Sequence, residues 1–449
     1  MKVFEDEYLG EIPQGFKSVI SNDFELMNFT IQVNSNQCNA CNNCIDACSE
    51  KALFMADKSD LNNENWKYFD TLPKLDRTII DTSKVSQQQL QEPLFEYSNG
   101  DDGCGEAPYF KLLSQLFGDR LLIANATGSS SIFGGALPTT PWTKNKAGKG
   151  PVWSNSLFED NAEFGLGFRL SLDQQEYEAR TLLKKMMQFL DFDLVYDIIT
   201  AKQHSEIEII KQQNRVTQLK EILNKIKTSE ADKLNRYADA LVKKSVWCVG
   251  GDGWAYDIGF GGLDHVIASG KNVNILILDN GVYSNTGGQM SKATPFGASA
   301  KFAHLGKTKQ KKDLGLMAMT YADVYVASVA MGANQEQTLK AFKEAESFDG
   351  PSVIIAYCHS NSHGIDMRNP SQYHKAAVAS GQWLLYRNDP RKLKSFQLDS
   401  NQPTLKTEDY LKMEKRFDRL LKSTNNLLIN KLKINIDKRF QKYKSLSYS

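Results

Sequence analysis

The densest chemistry in the chain sits in two short runs. Gly251-Asp252-Gly253 follows an apolar stretch, and Asn280 stands 28 residues past Asp252, leading into Gly281, Val282 and the run Asn285-Thr286-Gly287-Gly288-Gln289. A carboxylate, a side-chain amide and a backbone carbonyl are hard oxygen donors of the kind an octahedral divalent cation takes. Asp252 supplies the first, Asn280 the second and the carbonyl of Val282 the third, so the pattern reads as a site for a metal-bound diphosphate. Gly251 and Gly253 would let the main chain approach phosphate oxygens. A Gly-Asp-Gly alone also makes an ordinary tight turn; the spaced asparagine and the polar run behind it favour the ligand reading.

A second constellation is built on sulfur. Cys38-x2-Cys41-x2-Cys44-x3-Cys48 has the spacing of a bacterial-ferredoxin run, with Ser49 where proline is usual. The fourth cysteine of such a run ordinarily ligates the other cluster of a pair, and the chain has no second run. Cys38, Cys41 and Cys44 therefore lack a fourth ligand and Cys48 lacks its cluster, which implies a 4Fe-4S site shared with a partner chain. A vestigial run or a zinc site is the other reading. Four clustered cysteines out of seven, in a protein of this size, point to metal ligation in a reducing compartment rather than to disulfides.

These residues need a scaffold. Leu121–Asn125, Val246–Val249, Val273–Leu278, Val324–Ala327 and Val353–Tyr357 are short apolar runs followed by glycine or small polar residues. They alternate with helix-like segments, which predicts an α/β fold with a doubly wound parallel sheet. Asp252 and Asn280 both fall just past such strands, where open α/β sheets hold their ligands. Residues 171–244, rich in Lys, Glu, Gln and Leu, read as two or more amphipathic helices with solvated charged faces. The organisation expected is a ferredoxin-like half-domain over 1–70, a linker over 71–99, a cofactor-binding domain over 100–380 and a helical extension over 381–449. Residues 401–449 carry 12 Lys and Arg against 5 Asp and Glu, most simply a basic helix docked on its own protein.

At 449 residues and 41% hydrophobic, the chain can bury more than one core. A net charge of +1 over that length argues against a nucleic-acid partner. No stretch approaches the roughly 20 apolar residues of a membrane span. Met1–Tyr8 has no apolar signal core and is too acidic for a transit helix. The location expected is the cytoplasm or a mitochondrial or hydrogenosomal matrix.

Asp252–His265 together with Tyr283–Pro295 resembles the thiamine-binding domain of pyruvate:ferredoxin oxidoreductase and its flavodoxin-linked relatives. So do Trp153–Glu163, Gly103-Cys104-Gly105-Glu106 and Phe396–Ser400. The likeness covers essentially the whole chain, but only the last third or so of a full-length member. It implies thiamine diphosphate on magnesium, with Asp252, Asn280 and Val282 as metal ligands and Gly251, Gly253 and Glu106 against the cofactor. Asn285 would then lie beside the substrate-derived group as the catalytic candidate. Members often have threonine at the position of Asn280, though asparagine is the commoner ligand in thiamine enzymes. The glutamate that activates the aminopyrimidine lies in a family domain outside this sequence, so the resemblance implies a second polypeptide.

The same resemblance implies a damaged electron path. Family members drain electrons through a proximal 4Fe-4S cluster held by four cysteines; at the matching positions this chain has Asp101, Cys104, Ser129 and Ser360. Oxygen ligands hold iron–sulfur cores poorly, so one cysteine with an aspartate and two serines is not a four-iron site. Cys358 is two residues from Ser360, a displacement of roughly 6–7 Å along a strand, too far for it to substitute. Pyruvate, coenzyme A and ferredoxin or flavodoxin are the implied substrates, with the full oxidative reaction impaired. Three accounts fit: non-oxidative thiamine chemistry, thiamine as a structural element, or an empty scaffold. The rival class is a non-catalytic subunit of a larger mitochondrial or hydrogenosomal redox complex.

Overall fold

The structure is a computed structural model that describes residues 1–449 except 39, 41, 47, 49, 57–62, 102, 423–425 and 449. The chain opens with an antiparallel sheet of β1 (Lys2–Glu5), β2 (Val19–Ile20) and β3 (Met27–Thr30), in the order β1-β3-β2. Its core is small: Phe4, Phe16, Phe69 and Leu72. Val19, Ile20, Leu26, Ile31 and Val33 stay exposed, because so short an apolar inventory cannot close over itself.

The main sheet takes β4 (Leu121–Ala126), β5 (Val152–Ser156), β6 (Ser245–Gly251) and β7 (Asn274–Asp279). A small ladder of β8 (Val282–Tyr283) and β9 (Gln289–Met290) follows, and then β10 (Tyr325–Val329), β11 (Ser352–Tyr357), β12 (Tyr386–Asn388) and β13 (Phe396–Leu398). The spatial order is β13-β12-β10-β11-β7-β6-β4-β5. The six strands from β10 to β5 are parallel, while β12 and β13 add on antiparallel. The chain steps outward from β4 to β5 and then returns to the other side of β4 with β6, so the winding reverses at the β4/β6 boundary.

All five expected strands form. Their central residues are apolar on both faces because helices cover both. Ile275, Ile277, Val353 and Ile355 face one layer, and Leu276, Leu278, Ile354 and Ala356 face the other. The edge strands escape the pattern for a physical reason: β5 is polar and half exposed, and β12 and β13 have three residues each. Two expectations change as a result. Residues 381–449 are not helical throughout, since they close the sheet with β12 and β13. Nor is 71–99 a free linker: Arg77 donates to the carbonyls of Gln115 and Leu116, both at 2.9 Å, and Gln87, Gln88 and Gln91 are buried.

Residues 161–242 form a helical layer with its own core, including Leu183, Val195, Ile198, Leu219, Leu223 and Leu234. Its helix Glu206–Leu223 starts at a capping box in which Ser205 and Glu208 exchange side-chain and backbone bonds. The last helix, Asn426–Leu446, buries Leu432, Ile436, Phe440 and Tyr443 against the sheet layer. That spacing puts all four on one face, each worth about 1.5–3 kcal/mol of burial, and leaves Lys431, Lys438 and Lys442 exposed.

Candidate functional site

β6 ends at Gly251, and the chain turns directly into the π-helical turn Gly253–Ile258, so Asp252 stands at the carboxyl edge of the sheet. Its side chain is fully buried. Ser291 Oγ donates to one carboxylate oxygen, while Oδ1 has no partner among the described residues. Burial, reinforced by the nearby carboxylate of Asp279, pushes Asp252 up to about 8. A bare oxygen on a buried carboxylate is a cost that a bound cation removes. The donor set therefore fits a divalent ion.

Ser291 is held in place from behind. The Lys307 ammonium donates to the carbonyls of Ser291 at 2.9 Å, Lys292 at 3.0 Å and Thr294 at 2.8 Å, pinning the turn against Asp252. Asn280 follows β7 directly. Its Oδ1 accepts from the Val282 amide at 3.1 Å, and its Nδ2 donates to Glu106 at 3.0 Å and Ser284 at 3.2 Å. His363 Nε2 donates to the Asn280 carbonyl at 2.6 Å.

The two glycines beside Asp252 do different things. A Cβ added at Gly251 would meet nothing of the protein closer than 3.9 Å, so glycine here leaves an open wall. At Gly253 it would lie 2.3 Å from the Tyr283 ring, so that glycine serves packing as well as the approach of a ligand. Gly251, Gly253, Asn280, Val282, Asn285 and Gly128 bound a cavity of about 140 Å3, and Glu106 and Ser129 reach it too. It lies where the ends of β4, β6 and β7 meet, at the reversal of winding, as expected for a ligand site in an open α/β sheet.

A second cavity of about 260 Å3 adjoins it and shares Glu106, Ser129, Asn280 and Asn285. Asp101, Cys104, Ser129 and Ser360 all line it. Asp101 accepts from Asn361 at 2.5 Å, Ser129 and Ser284 share a hydroxyl bond of 2.7 Å, and Ser360 and Ser362 share one of 2.9 Å. Burial, then the Glu106 carboxylate, pushes the Cys104 thiol up to about 11. Cys358 is fully buried with its thiol on the Ala356 carbonyl, off this wall. Burial also lifts Glu106 to about 7, against the opposing bond from Asn280.

The sequence reading missed the histidines behind this wall. Gly332 N donates to His374 Nδ1 at 3.2 Å, which leaves Nε2–H of His374 to donate to His359 Nδ1 at 2.8 Å. His359 Nε2–H in turn donates to the Gly103 carbonyl at 2.6 Å. The chain of bonds works only with both rings neutral, and burial lowers both pKa values. It clamps the 103–106 loop, where a Cβ at Gly105 would lie 2.3 Å from the His359 carbonyl oxygen. In the sequence, only the closeness of His359 to Ser360 pointed this way.

Of the ferredoxin-like run, Cys38 and Cys44 are exposed and Cys48 is half-buried, while Cys41 lies outside the described residues. Among the described residues, no three or more His, Cys, Asp or Glu side chains gather as a metal would require.

Residues 233–356 match the thiamine pyrophosphate enzyme family, C-terminal TPP binding domain. That span holds Asp252 and Asn280. The fold and this match define a thiamine-diphosphate-binding α/β domain. The chain is 52% identical to the pyruvate-flavodoxin oxidoreductase of Trichormus variabilis, over 99% of this chain and 40% of that protein. It is 42% identical to the pyruvate:ferredoxin oxidoreductase of Moorella thermoacetica, over 98% of this chain and 39% of that protein. The mitochondrial pyruvate dehydrogenase (NADP+) of Euglena gracilis is 40% identical, over 99% of this chain and 25% of that protein. The chain thus matches a C-terminal portion of the pyruvate:ferredoxin and pyruvate-flavodoxin oxidoreductases, spanning about 40% of the length of the first of these relatives.

Proposed function

We propose that the chain holds thiamine diphosphate through Mg2+ at Asp252, Asn280 and the Val282 carbonyl, in a pyruvate oxidoreductase-like protein whose proximal iron–sulfur relay is lost. The observation that carries this reading is the bare Oδ1 of buried Asp252, set beside relay positions that are hydrogen-bonded within the chain. When bound, thiamine diphosphate supplies the carbon nucleophile and electron sink that decarboxylate a 2-oxo acid.

The chain's own residues do the rest of what falls to this half of the site. Asp252 and Asn280 neutralise and orient the diphosphate end. Glu106, placed near 7, holds or releases a proton at the boundary of the two cavities. Asn285 reaches both cavities and orients the reacting group, while Phe158 and Trp254 close the smaller cavity against water. Cys104 stands among Asp101, Ser129 and Ser360, so this wall offers one soft donor where a four-iron core takes four.

The remaining elements, including the activating glutamate and the complement of the Cys38–Cys48 run, come from polypeptide outside this sequence, either joined to it or separate. The exposed apolar set at Val19, Ile20, Leu26, Ile31 and Val33 supports a docking face for it. Among the described residues no helix is long and apolar enough to cross a membrane, and the Euglena relative's name supports a mitochondrial location.

The test is pyruvate-dependent carbon dioxide release by the native assembly, with and without a one-electron acceptor. Release without acceptor reduction supports the proposal. Acceptor reduction through this chain overturns the lost relay. Thiamine bound without release favours the structural subunit of a larger redox complex.

A further inference from the structure

The last pairing between β6 and β7 joins Gly251 to Leu278. Asp252 and the segment Asn280–Val282 lie beyond it, so the ladder between these two strands does not set the spacing of the site's two arms. One turn, residues 291–294 just after β9, touches both arms. Ser291 Oγ donates to the Asp252 carboxylate, and Thr294 Oγ1 donates to the carbonyl of Gly281, between Asn280 and Val282, at 2.6 Å. Each hydroxyl is also aimed from within the turn. Ser291 Oγ accepts from the Ala293 amide and Thr294 Oγ1 from the Ser291 amide, both at 2.9 Å, which leaves each proton free to point at its arm.

Lys307 closes this turn. An ammonium has three donors, and this one meets three acceptors that all belong to the turn, the carbonyls of Ser291, Lys292 and Thr294. The lysine's own backbone is fixed as well: its amide donates to Ala298 at 3.0 Å, and its carbonyl accepts from Gly297 at 2.8 Å. Lys307 is 9% exposed, and none of its three bonds goes to a carboxylate. Burial, then the neighbouring Lys311 ammonium, lowers its pKa to about 8. Burying an ammonium without an ion pair costs stability, and filling the space would need no charge. What the charge adds is three donors converging on the one turn that spans both arms.

We propose that Lys307 is a positioning residue for the diphosphate site, acting through the 291–294 turn to fix Asp252 at its distance from Asn280 and Val282. This inference rests on the magnesium–diphosphate reading above. A near-octahedral ion tolerates little error in ligand spacing, so slack in the turn weakens and distorts its coordination.

The test uses the native assembly at pH 7 with thiamine diphosphate and Mn2+ as a paramagnetic stand-in for Mg2+. Lys307→Met keeps an unbranched stem and removes the donors. It should weaken Mn2+ binding about 10-fold or more and broaden the electron paramagnetic resonance lines of the bound ion. The thermal midpoint of the unliganded protein should stay near wild type, because the Ser291 and Lys292 carbonyls keep other donors in the Thr294 and Lys312 amides. Thr294→Val, which cuts only the link to Gly281, should move both readouts the same way by a smaller factor, and it decides alone if Lys307→Met does not fold. Mn2+ affinity and line shape equal to the parent's in the folded variants would make Lys307 a packing residue and overturn the proposal. So would a loss of affinity that comes only with a collapsed thermal midpoint. A parent assembly that binds no Mn2+ with thiamine diphosphate overturns the magnesium–diphosphate reading itself, and this inference with it.

Discussion

The two cavities that meet at Ser129, Asn280 and Asn285 are built from the same strand ends, yet their polar groups are spent differently. Between Gly251 and Gly253 on the wall of the smaller one, buried Asp252 keeps an unsatisfied oxygen, and Gly251 leaves room where a side chain would stand. In the larger one Asp101, Ser129 and Ser360 are each bonded to a neighbour, and Cys104 is held as a thiol. A buried group without a partner costs free energy in the empty protein and repays it only when a ligand arrives. On the proposed reading, the unsatisfied oxygen of Asp252 belongs to a retained ligand site, and the closure among Asp101, Ser129 and Ser360 to one given up.

The largest effect expected is on the unsatisfied side. If Asp252 is the anionic metal ligand proposed, Asp252→Asn should lower Mg2+-dependent affinity for thiamine diphosphate by about 100-fold or more. Calorimetric titration checks this. On the closed side, Asp101→Cys, Ser129→Cys and Ser360→Cys combined should let the chain take up iron and sulfide next to Cys104. The comparison is with the unsubstituted chain, which carries the same Cys38–Cys48 run and should show no iron at that position by X-ray absorption.

pH offers a smaller, signed effect. The folded pKa of Asp252 is raised from 3.8 to about 8, so the folded state holds a proton that the unfolded chain gives up earlier. Its contribution to stability is full below 3.8 and is lost as pH rises towards 8, and Glu106, raised from 4.5 to about 7, acts in the same direction. Without ligand, Asp252→Asn should therefore gain thermal stability relative to the parent chain as pH rises from about 4 to 8. Thiamine diphosphate with Mg2+ should stabilise the parent most at the upper end. The smallest effect is a control distant from both cavities: Ser205→Ala, which removes a helix cap, should cost about 1 kcal/mol in denaturant melts and leave cofactor affinity unchanged.

How much of this contrast the sequence disclosed depends on range. The placement of Asp252 and Asn280 just past β6 and β7 was legible because each follows a strand whose apolar run is local, at the end of the sheet where open α/β folds bind ligands. β5, β12 and β13 were not, since polar or three-residue edge strands carry no periodic signal. Asp101, Ser129 and Ser360 could be grouped only through a family resemblance, because their convergence is made by the winding of the sheet. Lys307 behind Ser291, and the His374–His359–Gly103 chain, have no local signature: Lys307 reaches carbonyls 13 to 16 residues back across a loop, and His359 bonds Gly103, 256 residues away. Gly253 shows the converse, a glycine whose ligand-facing reading was local and whose packing against Tyr283 was not.

The most direct test is an anomalous diffraction map of the chain with thiamine diphosphate and Mg2+, collected at the iron edge after anaerobic incubation with iron and sulfide. The account predicts diphosphate and magnesium between Asp252 and Asn280 and no iron at Cys104. A four-iron peak bonded to Cys104, or a diphosphate seated away from Asp252, would contradict it.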